Sequence, residues 1–359
     1  MRTAALVLAL ASTLLGQVKQ SEVDAAIDKG AEYLKDKTDG QRGRGNTTEL
    51  VALTLAHAGV SADEAPLKEL LERILQFRLS STYNTAIQTV LLSYVNPKKY
   101  RARIAECGQW LVDAQCGNGQ WTYGGDTPQE PERTVVSGDA ESGYKLRDRR
   151  GDGVSPSGDN SNAQFGVLGL WAAMVAGVKV PESSFKLAER WWKGQQGTDG
   201  GWGYGARDLS YGSMTCAGVA AMSICARGLE DPDRNRGQEV AGLRWLGGNF
   251  TVKTNPKGGS WHYYYLYSLE RAGTITGQRT MGGHDWYQEG ARFLVDAQAN
   301  DGSWTSEDPI SDTCFAILFL KRATSSLVTG APQDRASVTP DDPATEPAVP
   351  DEPAKDEKK

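Results

Sequence analysis

Three aspartates lie at the starts of apolar segments of this 359-residue chain and are candidates for acid–base chemistry. Asp159 shortly precedes NAQFGVLGLWAAMVAG, Asp208 shortly precedes SMTCAGVAAMSICAR, and Asp312 opens DTCFAILFLKRA. Two carboxylates placed across a cleft can cleave glycosidic bonds, one as an acid and the other as a nucleophile or base. The alternative is that each aspartate caps a helix, because its side chain accepts a free backbone N–H there.

Aromatic residues are concentrated at similar positions and predict a binding surface for a ligand. Trp261, His262, Tyr263 and Tyr264 are consecutive at the start of one such segment, and Phe165 lies in another. Aromatic rings provide large apolar contact areas, which suit a sugar ring or an apolar chain. The alternative is that these rings fill the core of the fold.

A repeated frame shows which elements would position these residues. The segments WLVDAQCGNGQW, WWKGQQGTDGGW and FLVDAQANDGSW share an aromatic residue, a Gln five positions later, a Gly four after that and a Trp two further on. They span residues 110–121, 191–202 and 293–304. The aromatic residue belongs to the buried face of a first helix, and the Gly allows the positive φ that ends it. We expect the Trp to pack under the turn and the Gln amide to bond backbone groups of a neighbouring helix.

Two weaker copies upstream, at residues 29–59 and 70–94, and an intermediate copy at residues 242–261 bring the total to six helix pairs. In each pair an amphipathic first helix is followed by a second helix that is apolar nearly all round, which indicates an outer and an inner helix. Six such pairs can close a ring, so the sequence predicts an all-α, (α/α)6 toroid over residues 22–324. The pairs are expected to begin near Glu22, Pro66, Arg101, Pro181, Gly237 and Asp285.

The frame resembles the QW motif of squalene and hopene cyclases, whose toroid is shared by the β subunits of protein prenyltransferases. The resemblance implies a central cavity, lined by the starts of the inner helices, that holds an apolar ligand. The resemblance is weaker evidence for cyclase activity. Those cyclases protonate their substrate with an Asp-x-Asp-Asp motif, and the toroid segment of this chain does not contain that motif. The same architecture also serves glycan-processing enzymes, so fold and activity are separate questions.

The resemblance to prenyltransferases also implies a candidate zinc site. Those enzymes hold zinc with Asp, Cys and His at inner-helix starts, and here Asp312 and Cys314 reproduce the Asp-x-Cys spacing. His262 would be the third ligand, although the family places its His on a later helix. The alternative needs no metal: Asp312 caps the last inner helix and Cys314 is a buried apolar side chain.

Composition excludes other classes of function. The net charge is −6, and residues 331–359 contribute eight acidic against four basic side chains, so the body is nearly neutral and nucleic-acid binding is not expected. That proline-rich tail is predicted to be disordered.

The insertion at 122–159 is long and polar, which suggests either a lid over the cavity mouth or a surface loop. Five cysteines without a CxxC pair argue against a disulfide framework.

The N-terminal segment predicts export. Residues 1–16 consist of Met1 and Arg2 followed by an apolar run too short to span a bilayer comfortably, which is typical of a signal peptide. We therefore expect a secreted or periplasmic protein without a transmembrane helix after cleavage.

Three hypotheses for the function remain. The protein is a toroid that binds an apolar ligand or a partner segment, a carboxylate-based enzyme acting on an envelope polymer or an isoprenoid, or a secreted scaffold.

Overall fold

Six inner helices form a closed ring in the computed structural model, which describes residues 17–38, 47–124, 138, 143–148 and 155–329. They are α2 (Thr48–His57), α4 (Thr82–Val95), α6 (Asn160–Val175), α8 (Gly212–Gly228), α10 (His262–Thr276) and α12 (Pro309–Leu320). Each packs against the next, and α12 packs against α2 to complete the ring. The inner helices are buried on nearly every side, as their apolar sequences predict; in α6 the first fourteen residues are all buried.

Six outer helices surround this ring. They are α1 (Gln20–Thr38), α3 (Leu67–Gln76), α5 (Arg101–Asp113), α7 (Glu182–Gly194), α9 (Arg236–Gly248) and α11 (Trp286–Ala297). In α3 the buried residues are Leu67, Leu70, Leu71 and Ile74, the three-and-four spacing of one helical face. All six outer helices begin within two residues of the predicted positions. The predicted all-α toroid of six pairs is therefore confirmed.

A short β-hairpin and a short helix complete the described fold. Strands β1 (Thr280–Met281) and β2 (His284–Asp285) form an antiparallel hairpin before α11, and helix α13 (Ser325–Thr329) follows the last pair. No helix in the described ranges is long and apolar enough to cross a membrane. The predicted signal peptide, the acidic tail and most of the 122–159 insertion lie outside the described residues. The five cysteines are all free and buried, and burial raises the pKa of each thiol.

The three intact copies of the repeated frame form the same hydrogen-bonded turn. Each Trp indole donates to the backbone oxygen ten residues before it: Trp121 to Leu111 at 2.8 Å, Trp202 to Trp192 at 2.7 Å, and Trp304 to Leu294 at 2.8 Å. Each indole thereby closes the turn over the end of its own outer helix. The three indoles are fully buried or nearly so, so the predicted packing of the Trp under the turn is what the structure shows.

The side chain of each Gln of the frame hydrogen-bonds both to its own turn and to the outer helix of the next pair. The amide of Gln115 donates to Gly119 O at 3.2 Å and to Ser184 O in α7 at 2.9 Å. Gln196 and Gln298 make the same two kinds of bond, the second reaching α9 and α1 respectively. The glycine of the frame is needed twice over. At Gly119, φ is +99° and an added Cβ would lie 2.2 Å from a backbone oxygen of α7.

Candidate functional site

A cavity of about 690 Å³ opens at the amino-terminal ends of the inner helices. Every inner helix contributes a residue from its first two turns, among them Leu50, Tyr83, Phe165, Met214 and Phe315. A cavity of this size accommodates a ligand of drug-like dimensions. The ring is therefore hollow at this end, and the inner-helix starts form the walls of the hollow.

The cavity has an apolar interior and a more polar mouth. Its interior includes Leu50, Phe165 and Phe315, all of which are nearly inaccessible to solvent. Tyr123 and Trp261 are 60% and 53% exposed, so they lie at the mouth. Of the residues that line the cavity in the described structure, Lys257 is the one with a charged side chain, and none is an aspartate or glutamate.

Several tyrosines, whose hydroxyl groups can donate hydrogen bonds, line the cavity. Burial is the largest cause that raises the pKa of Tyr83, Tyr211 and Tyr264 above the ordinary value for a tyrosine. The phenolic groups therefore keep their protons at physiological pH. A protonated hydroxyl can donate to an oxygen of a ligand, whereas the surrounding rings contact its apolar part.

The three candidate catalytic aspartates bond to backbone amides at separate places. Asp159 is the N-cap of α6, where its two oxygens accept from the backbone N and the side-chain Nδ2 of Asn162, both at 2.8 Å. Asp208 accepts from the backbone N of Gly205 at 2.8 Å in the loop before α8. None of the three is among the cavity-lining residues of the described structure. These contacts correspond to the capping alternative for Asp159 and to loop stabilisation for Asp208.

Asp312 is not the N-cap of α12. The helix begins three residues earlier, at Pro309, and Asp308 is its N-cap, accepting from Ser311 N at 2.9 Å. Asp312 lies in the first turn, 1% exposed, and its Oδ2 accepts backbone N–H groups from Ser306 and Glu307 at 2.7 and 2.8 Å and from Asp308 at 3.2 Å. The expectation that Asp312 caps the last inner helix is therefore wrong.

The predicted aromatic ligand residues separate into two groups. Phe165, Tyr264 and Trp261 line the cavity. Trp261 has a left-handed φ of +61°, and its backbone N donates to a Glu307 carboxylate at 3.2 Å. His262 and Tyr263 pack away from it: the His262 ring lies 5.0 Å from the ring of Phe293, and Tyr263 is buried.

The predicted zinc ligands are not assembled. His262 Nε2 is hydrogen-bonded to Val252 O at 2.8 Å, Cys314 is fully buried in the ring, and the Asp312 carboxylate binds three backbone amides. Burial raises the pKa of Cys314 to about 12, so this thiol is not poised to ionise. Among the residues described, no three His, Cys, Asp or Glu side chains form a group that could hold a metal ion. In the described structure Asp312, Cys314 and His262 therefore do not come together as a zinc site.

Sequence reasoning missed several tyrosines of the cavity and one buried carboxylate beside it. Tyr123 and Tyr204 each follow the Trp of a repeated turn by two residues, and their hydroxyls meet at 3.0 Å at the mouth. This Trp-x-Tyr spacing was a usable signal. Glu49 lies behind the cavity wall, 3% exposed, and its Oε2 accepts from Nδ2 of the lining residue Asn84 at 3.1 Å. Burial raises the pKa of Glu49.

Comparison with known proteins defines the class of the fold. No protein-family model and no curated protein sequence matches the chain. The type II terpene cyclase MstE from Scytonema, without ligand, is similar over 85% of this chain and 99% of its own, with 11% identity and a TM-score of 0.53. A variant of MstE in complex with its substrate, geranylgeranyl dihydroxybenzoate, covers 85% and 98%, with 11% identity and a TM-score of 0.53.

A second similarity is to a protein with a different title. A possible member of the GH105 family from Salmonella enterica covers 89% of this chain and 98% of its own, with 10% identity and a TM-score of 0.52. At these identities the likeness concerns the fold alone. The chain has the α/α-toroid fold that type II terpene cyclases also have, and its activity has to be argued from the cavity.

Proposed function

We propose that this protein binds an elongated, mainly apolar small molecule of the isoprenoid type in its central cavity, and that it does so without cyclising it. The observation that carries the proposal is the lining of the 690 Å³ cavity. Its interior is formed by aromatic and aliphatic side chains, and its described lining contains no carboxylate. A hollow of this kind favours apolar contact, whereas protonation of an alkene requires an acid in the wall.

The similarity to MstE is consistent with this ligand class, because that protein is recorded in complex with a geranylgeranyl compound. The hollow interior also argues against a purely structural scaffold, for which a ring filled with side chains is expected.

Two experiments test the proposal. Organic extraction of protein purified from its native host, followed by mass spectrometry, is expected to release a stoichiometric apolar species. In addition, binding of farnesene is measured by displacement of Nile red. Ser311 lines the cavity at the start of α12, so Ser311→Trp is expected to obstruct it. Ser306→Trp is the matched control, since Ser306 is exposed and lies outside the lining.

The expected result is that Ser311→Trp abolishes farnesene binding and that Ser306→Trp leaves it intact. Equal binding by both variants would place the ligand elsewhere. Failure of the wild-type chain to bind farnesene, together with an empty extract, would reject the proposal.

A carboxylate-based enzyme is the second candidate, and Glu49 is the observation that favours it. This buried acid is one hydrogen bond behind the cavity wall, through Asn84, and its raised pKa suits proton donation. Turnover of an isoprenoid or of an envelope polysaccharide that is lost in Glu49→Gln, with binding retained, would establish this function instead. Turnover lost in Asp159→Asn, Asp208→Asn or Asp312→Asn with the fold intact would return the chemistry to those aspartates.

A further inference from the structure

Three hydroxyl groups from three inner helices meet on the cavity wall. Ser161 Oγ lies 2.8 Å from Tyr264 Oη and is also hydrogen-bonded to the hydroxyl of Tyr83. All three residues line the cavity, and they come from α4, α6 and α10. We call Tyr83, Ser161 and Tyr264 the hydroxyl cluster. It is a polar patch beside Phe165 and Phe315, which belong to the apolar interior.

A buried cation lies behind the hydroxyl cluster. Arg271 is 2% exposed, and its Nη2 donates to Gln164 Oε1 at 2.6 Å. Gln164 Nε2 in turn donates to the hydroxyl oxygen of Tyr264. The guanidinium also lies 4.2 Å from the ring centroid of Tyr267 and 5.0 Å from that of Phe165. A continuous chain of contacts therefore runs from the buried positive charge to the cavity wall.

The direction of the hydrogen bonds along this chain is set by Arg271. A guanidinium only donates, so the Gln164 carbonyl must face Arg271 and its amide NH2 must face Tyr264. The Tyr264 oxygen then accepts from Gln164, and its own proton points onward to Ser161 or to a ligand. The hydroxyl cluster is thus polarised to donate into the cavity.

The charge of Arg271 is only weakly compensated by its surroundings. Its Nη2 also donates to Ser268 Oγ at 3.0 Å, but within the described structure no carboxylate forms an ion pair with Arg271, and its Nη1 has no hydrogen-bond partner. Glu270 is adjacent in sequence and interacts electrostatically with Arg271, but its carboxylate is hydrogen-bonded to Thr324 and Thr274, and burial, the larger effect, raises its pKa to about 7. Asp159, the N-cap of α6, is bonded to Asn162 through both oxygens, and, besides burial, its negative charge also raises the pKa of Tyr264. A buried, incompletely compensated cation favours an anion nearby.

We propose that the hydroxyl cluster binds the carboxylate of an otherwise apolar ligand, with Arg271 acting through Gln164 as a positioning residue. The inference rests on the proposed function, since it assigns a head group to the ligand of the same cavity. The carboxylate accepts from the cluster hydroxyls, and the apolar chain lies against the aromatic interior. The chemistry fits an isoprenoid acid or a fatty acid, and the choice between them is an outcome of the test.

The experiment compares ligands that share one carbon skeleton and differ at the end group. Dissociation constants of farnesoic acid, farnesol and farnesene are measured by displacement of Nile red, with dodecanoic acid as the straight-chain acid. The wild-type chain is expected to bind farnesoic acid about tenfold more tightly than farnesene, because hydrogen bonds to a charged acceptor are stronger than those to neutral groups. Tighter binding of dodecanoic acid than of farnesoic acid would identify the fatty acid as the source of the carboxylate.

Variants separate the cluster from a general effect on the fold. Tyr83→Phe and Ser161→Ala are expected to weaken binding of farnesoic acid much more than binding of farnesene, and so to remove most of the tenfold preference for the acid. Arg271→Met should do the same, and Arg271→Lys should restore part of the preference. Tyr265→Phe is the matched control, because its buried hydroxyl bonds to Thr251 O at 3.0 Å outside the cavity.

The outcomes distinguish this inference from the proposed function. Equal affinity for farnesoic acid and farnesene, or a preference that survives Tyr83→Phe and Ser161→Ala, would overturn the head-group assignment while the apolar site stands. Loss of affinity for both ligands in parallel in Arg271→Met would assign Arg271 a structural role only. Absence of binding by every probe would reject the proposed function itself.

Discussion

The buried Gln of the repeated turn gives the sharpest test of how the ring is held together. Replacing Gln115 by Met keeps the length of the side chain but removes both of its donated hydrogen bonds. The acceptors, Gly119 O and Ser184 O, belong to buried residues and are left without this donor. Each hydrogen bond contributes about 1 kcal/mol net, and a buried group left unsatisfied costs about 1 to 3 kcal/mol. We therefore expect Gln115→Met to lower the free energy of unfolding by about 2 to 4 kcal/mol.

The equivalent substitution in the next turn is a built-in comparison. Gln196 makes the same two bonds, to Gly200 O at 2.8 Å and Gln238 O at 3.0 Å, but Gln196 and both acceptor residues are only half-buried. Water can replace the lost donor there, so Gln196→Met is expected to cost only about 1 to 2 kcal/mol.

Equilibrium unfolding in urea, followed by far-ultraviolet circular dichroism, measures both losses. Unchanged m-values would show that the compactness of the folded and unfolded states is the same in the variants. Equal losses, or a larger loss for Gln196→Met, would refute the argument that burial of the acceptors sets the cost.

Three further predictions concern packing, pH and thiol reactivity. Gly218→Ala should destabilise the fold by about 1 to 3 kcal/mol, because its Cβ would lie 2.3 Å from the Trp202 ring; Gly237→Ala, with open space around it, should be neutral or stabilising in the same urea assay. Burial raises the pKa of Glu270 from 4.5 to about 7, so the folded state binds its proton more tightly than the unfolded state. Stability should therefore fall by up to about 3 kcal/mol between about pH 4.5 and about pH 7, and Glu270→Gln should remove this part of the slope in unfolding curves measured across that range. A slope identical in wild type and variant would contradict it. The five buried thiols should react with an aromatic disulfide reagent only after urea unfolding, and rapid modification of the native chain would show that one of them is accessible.

The fold was predictable because its signals are local and repeated. In each turn the Trp bonds to a residue ten positions earlier, and the Gln bonds to a Gly four positions later. Spacings that short are visible in the sequence wherever the frame recurs. The alternation of amphipathic and uniformly apolar helices likewise reflects a single rule, since only the inner helix is enclosed on all sides.

The start of α12 shows the limit of prediction from local sequence signals. Asp308 and Pro309 together are a strong helix-start signal, since Asp caps and Pro suits the first turn. The uniformly apolar run begins only at Asp312, so the hydrophobic pattern predicts a helix start three residues later than the structure shows. The residues that meet at the cavity were harder to predict than this helix boundary. Tyr83, Ser161 and Tyr264 are far apart in sequence, and their contact depends on the closure of the whole ring, which no short spacing encodes.

The bond from Gln298 to Ala26 O has a consequence for how the chain could be rearranged. It joins the last pair to the first in the same manner as Gln115 and Gln196 join pairs inside the sequence. The junction between the two ends of the toroid is therefore one of three junctions that a frame Gln closes in the same way. A circular permutant, with 17–329 linked end to end and reopened in another connection between pairs, would keep these contacts. The order of pairs around the ring, rather than the pair that is synthesised first, then determines the architecture.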